Sequence, residues 1–269
     1  MTGHMTGPMT GAEMTGPEIK GAEMTDADWA PLTDELDRWA RAGWVARLWL
    51  RDDDAVEPTQ ALERLLALSA SHAVPVALAV IPAFTGEALA GRLAAAPHAE
   101  VAVHGWSHEN FAPPGQKKQE LGAHRPADVV LSSLQRGVSH LVQLHGPRLV
   151  PVLVPPWNRI DPALVSRLGG IGFRALSVFG PERSLGIASI NTHVDVIDWH
   201  GTRGGRPGGD LVREMVVRLR VIAGGEGTLG LLTHHLVHDE TVWRFLEALF
   251  ERTAKHPACR WVRLSQIVG

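Results

Sequence analysis

The chain reads as an α/β protein whose parallel sheet closes, or nearly closes, into a β/α barrel. Strand-like and helix-like segments alternate from residue 33 to the C-terminus, and such alternation puts helices outside a parallel sheet. Residues 74–81 and 149–154 are continuous apolar runs, as expected of strands covered on both faces. About seven or eight strands in roughly 235 residues fit a barrel. An open doubly wound sheet is the alternative, and in either architecture the functional edge is the C-terminal end of the strands.

Each element has its own signal. Residues 32–42 look helical, and residues 45–50 form a short apolar strand that ends in Arg51, Asp52, Asp53 and Asp54. Residues 58–71 place Leu62, Leu65, Leu66 and Leu68 on the inner side of a helix, with Pro58 suited to its first turn. After the strand at 74–81 come a helix at 85–95, a strand at 101–103 running into His104, and a long helix at 126–144. The strand at 149–154 is closed by Pro155 and Pro156, and a helix at 162–168 stops at Gly169 and Gly170. Strands at 173–178 and 193–197, a helix at 211–223, a strand at 228–233, a helix at 241–254 and a strand at 260–264 complete the pattern.

Residues 1–24 repeat Met-Thr-Gly and are rich in Gly, Thr and Pro. Such a segment cannot bury a core, so it is expected to be a disordered tail outside a single domain spanning residues 25–269. The tail lacks the apolar run of a secretory signal, and the chain has no apolar stretch of membrane-spanning length. The expectation is a cytoplasmic protein without a membrane span.

Composition narrows the chemistry. With 26 Lys and Arg against 29 Asp and Glu, the net charge is −3, so no basic surface advertises nucleic acid. The one cysteine, Cys259, rules out an intramolecular disulfide and cysteine-ligated zinc or iron–sulfur sites. Any metal must be held by carboxylates and by some of the 14 histidines.

The polar residues cluster at strand ends. Three consecutive Asp repel one another unless a cation or an arginine offsets them; the alternative is a solvated acidic turn capping the next helix. His104 and His108 are four apart, and on one helical turn both imidazoles would face the same ion, about 5–6 Å from each other. A carboxylate from a neighbouring strand end would complete a three-ligand site with open positions, as a catalytic metal requires. Of His234 and His235, only one should point into the site, because adjacent strand residues face opposite ways. A Mg²⁺ site on the Asp triplet, serving phosphoryl or glycosyl transfer, is a competing reading. Two His favour zinc instead, and there is no G-x-x-x-x-G-K-[ST] phosphate loop.

In this order, over about residues 44–268, these features resemble the polysaccharide deacetylases, the NodB-homology group or carbohydrate esterase family 4. The resemblance implies a distorted (β/α) barrel of about seven parallel strands and a metal held by one Asp and two His. The motif T-F-D-D-G aligns with residues 51–55, which makes Asp53 the base and Asp54 a metal ligand; a shift by one would make them Asp52 and Asp53. The motif H-(S/T)-x-x-H gives His104 and His108 as ligands, with Gly105 in the Ser/Thr place. R-P-P-Y/F-G resembles residues 154–158. Trp157 takes the aromatic place, where the family uses a backbone N–H as oxyanion donor, and Val154 replaces the Arg that tunes the base; Arg51 or Arg159 could substitute. D-x-x-D-W is met by Asp195, Asp198 and Trp199, and L-x-H by Leu232 and His234.

The implied activity is hydrolysis of an N-acyl, typically N-acetyl, group on an amino sugar or related carbohydrate. A divalent ion, zinc by its ligands, activates water and carbonyl; Asp53 is the base; His234, oriented by Asp198, protonates the leaving amine. Trp157, Arg159 and Trp199 are the expected substrate contacts, and residues 111–120 a rim loop. The expected partner is a carbohydrate or small N-acylated molecule; the sequence is silent on oligomeric state. The alternative is a catalytically silent barrel that binds a carbohydrate or a partner.

Overall fold

The computed structural model describes residues 24–269. Residues 1–23 of the expected tail lie outside the described residues, while Met24 is partly buried against the core. The chain runs α1 (Asp26–Arg41), β1 (Ala46–Ala55), α2 (Gln60–Ser71), β2 (Val76–Val80), α3 (Glu87–Ala94), β3 (Ala99–His104), α4 (Ala127–His145), β4 (Leu149–Val154) and α5 (Pro162–Val165). It continues β5 (Ala175–Leu176), β6 (Ala188–Ser189), β7 (Val194–Asp195), α6 (Gly208–Val221), β8 (Thr228–Thr233), α7 (Glu240–Thr253), β9 (Cys259–Trp261) and α8 (Ser265–Val268).

The strands lie in the order β6-β5-β4-β3-β2-β1-β8-β7, all paired parallel, and β9 pairs with the first half of β1. The result is a distorted (β/α) barrel. No ladder joins β6 to β7 among the described residues; the parallel bridge from Phe179 to Thr192, with Gly180 N–H donating to Thr192 O at 2.8 Å, continues the β5–β6 register. β5, β6 and β7 have two residues each, so the ladders on this side of the barrel are short.

Two apolar layers follow from strand alternation. Leu48, Leu50, Val76, Leu78, Val80, Val101 and Val103 belong to the main core with the helices. Trp49, Ala77, Ala79, Ala102, Val152 and Val154 form a second cluster inside the barrel. The inward alanines of β2 and β3 leave room for the fully buried Trp49 and Arg51.

Several boundaries differ from the sequence reading. α1 begins at Asp26 because Thr25 and Asp28 form a capping box, and Pro31 sits in its second turn. Thr59, not Pro58, starts α2: its hydroxyl accepts the Leu62 N–H at 3.1 Å. The strand expected to end at Leu50 continues through all three Asp to Ala55. It can do so because each carboxylate has a cationic or hydrogen-bonding partner. No helix among the described residues is long and apolar enough to cross a membrane.

Candidate active site

Arg51 and Asp53, two residues apart on β1, share the inner face with Trp49. Arg51 donates from Nε to Asp53 Oδ1 at 2.9 Å and from Nη2 to Oδ2 at 3.0 Å, a bidentate pair. Its remaining donors reach Ser177 Oγ at 2.8 Å and Asn158 Oδ1 at 2.9 Å. Asp52 faces the other way and accepts from the Thr233 hydroxyl at 2.7 Å, the His235 N–H at 2.9 Å and His235 Nδ1. Burial alone would raise the Asp52 carboxyl, but His235 beside it holds it below its usual value and is itself raised despite burial.

Strict alternation would send Asp54 to the side of Asp52. Instead the β1–β2 register breaks between Asp52 and Ala55, and Asp54 takes φ 74°. A bulge of this kind re-aims a side chain, and Asp54 reaches the histidines of the β3 end. Its Oδ1 lies 3.1 Å from His104 Nε2 and 3.4 Å from His108 Nε2.

The donor atoms of Asp54, His104 and His108 all fall within 4.8 Å of one another. Ligands about 2.0–2.1 Å from one tetrahedral ion stand roughly 3.3 Å apart, so this donor set fits a zinc-like cation. His104 supports the fit: its Nδ1 lies 2.9 Å from Val154 O. Donating there leaves Nε2 as the ligand atom. Burial works against charge on both Asp54 and His104; their mutual bond and the neighbouring charges nevertheless hold Asp54 well below the carboxylate range and raise His104. His108 is lowered by burial and by the charge of His104. The segment between the two His is not the expected helical turn: Gly105 has φ 59° and His108 φ 55°.

His234 stands at the end of β8, with Nε2 3.9 Å from Asp53 Oδ2 and its ring edge-on to Trp199 at 4.7 Å. Its Nδ1 is buried and has no hydrogen-bond partner among the described residues. Asp198, expected to orient it, does not meet it. That carboxylate accepts the N–H groups of Gly201 at 3.0 Å and Thr202 at 3.1 Å, capping an exposed turn. Asp195 is the motif carboxylate that feels the charge of His234; burial raises its pKa, and it accepts Trp199 Nε1–H at 2.9 Å. His235 faces Asp52, so one of the adjacent His points into the site, as alternation predicts.

Trp157 and Asn158 both adopt left-handed backbone, φ 55° and 56°. With Asp54 and His108 they account for four of the six non-glycine residues of positive φ among the described residues, so backbone strain is concentrated around this site. The Trp157 ring packs tilted against that of His108, their centroids 4.3 Å apart. The N–H groups of Asn158 and Arg159 are used by Pro155 O and Pro156 O. Arg159 does not approach the base; its Nη1 donates to Lys118 O at 2.8 Å and ties the 109–120 loop to the turn after β4. Of the two arginines considered for the Val154 position, Arg51 is therefore the one that pairs with Asp53. Sequence reasoning assigns no role to Ser177 or Asn158, which act through Arg51; Ser177 lies in no motif, and Asn158 lies in the 154–158 motif at a place where only the fold brings it to Arg51.

No family model and no curated protein sequence matches the chain. Solved structures do. A candidate polysaccharide deacetylase from Mycobacterium smegmatis is 18% identical at TM-score 0.64, over 84% of this chain and 90% of its own. A family 4 acetyl xylan esterase from Clostridium thermocellum, in complex with a cobalt ion, is 14% identical at TM-score 0.53, over 82% and 89%. A CE4 family pseudoenzyme from Bacillus anthracis is 17% identical at TM-score 0.56, over 84% and 66%. The fold this chain shares with them is that of the polysaccharide deacetylases and family 4 carbohydrate esterases, the group its strand-end motifs resemble.

Proposed function

We propose that this chain is a metal-dependent hydrolase that removes an N-acyl group, N-acetyl in the first instance, from an amino sugar or related carbohydrate. The observation that carries this reading is the bidentate Arg51–Asp53 pair standing beside the Asp54, His104 and His108 cluster. It supplies from β1 the guanidinium that the end of β4 lacks, where Val154 stands. A divalent ion held by Asp54, His104 and His108, zinc by the two imidazoles, would supply Lewis-acid polarisation of the acyl carbonyl and an acidified water.

The chain's own residues supply the rest. Asp53 accepts the proton of the attacking water, its carboxylate fixed in orientation by Arg51. The backbone N–H of Trp157 donates to the developing oxyanion. His234 gives its Nε2 proton to the leaving amine, which departs poorly unless protonated. Trp157 and Trp199, flanking His108 and His234, offer aromatic faces to a sugar ring. We place the activity in the cytoplasm.

The second reading, a silent barrel that binds carbohydrate, is prompted by the pseudoenzyme among the structural neighbours. One experiment separates the two. Protein stripped by chelator and reloaded with Zn²⁺ is given N-acetylated chito-oligosaccharides, and acetate is measured. Zn²⁺-dependent release is the expected result. A protein that holds no stoichiometric metal and releases nothing is the silent barrel, and rescue by Mg²⁺ alone contradicts the zinc assignment.

A further inference from the structure

Glu120 is the last residue of the segment 111–120, which the sequence places on a rim loop. It is only 1% exposed. Its Oε1 accepts the N–H groups of Trp106 at 3.0 Å and Ser107 at 2.9 Å, and its Oε2 that of His108 at 3.1 Å. Three successive amides of the turn between the two histidines thus converge on one buried carboxylate, an anion-binding concavity occupied from within the chain.

Gly105 explains how the carboxylate gets there. A Cβ at that position would run into Glu120 Oε2 and come within 2.8 Å of Pro156 Cγ and Cδ. The space that a side chain at position 105 would fill is taken by Glu120. The other end of Glu120 is equally fixed. Leu121 bridges to Ile160, Asp161 N–H donates to Leu121 O at 2.8 Å, and Arg125 Nη2 donates to Glu120 O at 3.1 Å. The carboxylate is therefore anchored to the turn after β4 and clamps the turn after β3.

We propose that Glu120 is a positioning residue that holds His108, with its left-handed backbone, in ligand geometry before any ion arrives. This rests on the reading of His108 as a metal ligand. A preformed ligand set binds more tightly than one that must be ordered on binding, and outer partners of ligands typically govern affinity by about 10- to 100-fold.

Glu120→Gln keeps the shape but turns an N–H toward N–H donors. In metal-free protein, amide exchange at residues 106–108 should accelerate by roughly tenfold or more while exchange in β1–β4 stays unchanged. Zn²⁺ affinity, measured by competition with a chelating dye, should fall about 10- to 100-fold, and the visible spectrum of the Co²⁺ form should change. Glu120→Asp, which keeps the charge but shortens the reach to the three amides, should act in the same direction and serves if Glu120→Gln does not fold. Unchanged exchange and affinity overturn the proposal, as does a loss of protection spread evenly over the barrel. Wild-type protein that binds neither ion overturns the metal reading itself, while the exchange measurement still decides whether Glu120 sets the turn.

Discussion

Arg51 carries more of the site than its place before the Asp triplet suggests. Removing it leaves Asp53 as a buried carboxylate without its cation, and breaking such a pair costs about 3–5 kcal/mol. Arg51→Met should therefore lower unfolding free energy by that amount in urea titrations and reduce kcat about 10- to 100-fold or more, with Zn²⁺ stoichiometry kept because Arg51 touches none of the three ligands. Lost metal would show that Arg51 supports the ligand set instead. The two motif carboxylates near His234 make a paired test. Asp195 is close enough to feel that imidazole, whereas Asp198 caps a turn. Asp195→Asn should lower kcat on the order of tenfold or more. Asp198→Asn should loosen only its own exposed turn and leave kcat near wild type. The reverse ranking would return the orienting role to Asp198.

At the scale of elements, β1 assigns three adjacent carboxylates to three tasks by facing them differently. Asp52→Asn should weaken the fold by about 1–3 kcal/mol with metal retained, Asp53→Asn should abolish turnover with metal retained, and Asp54→Asn should abolish stoichiometric metal. Metal analysis beside acetate release reads all three, and loss of metal in Asp53→Asn rather than Asp54→Asn would move the register by one. The long apolar runs of β2 and β4 and the helix periodicities were legible in sequence because burial on both faces, or on one stripe, leaves a pattern. Asp54, His104 and His108 were legible as spacings through the family resemblance. What stayed hidden depends on contacts between distant segments. The bulge at Asp54 is a register event between β1 and β2. Arg51 meets Ser177 126 positions away. The two-residue strands β5 to β7 are too short to carry a period. The choice between Asp195 and Asp198 turns on which carboxylate the tight turn at 198–202 uses.

For the molecule as a whole, histidines outside the ligand set govern the acid limb of stability. Burial, with nearby positive charge where present, depresses His145, His193 and His238 to about 4 each. His145 makes the cleanest lever: it lies at the end of α4 away from the site, is 4% exposed, and neither ring nitrogen has a hydrogen-bond partner among the described residues. Its folded pKa lies below its ordinary value near 6.5, so the unfolded chain takes up a proton that the folded one refuses. The neutral ring adds no penalty above pH 6.5. Stability falls as pH drops from there toward 4, with about 1.4 kcal/mol per pH unit as the upper limit for one such group. His235, raised by Asp52, works in the opposite sense: its contribution is complete below pH 6.5 and is lost as pH rises through its folded value. His145→Leu should therefore leave unfolding free energy at pH 8 within about 1.5 kcal/mol of wild type. It should also flatten the slope between pH 6.5 and 4 by at most about 1 kcal/mol per pH unit averaged over that window, the signature of one proton removed. Urea titrations at half-unit steps of pH would measure this, and an unchanged slope would mean that His145 finds solvent or a partner on protonation.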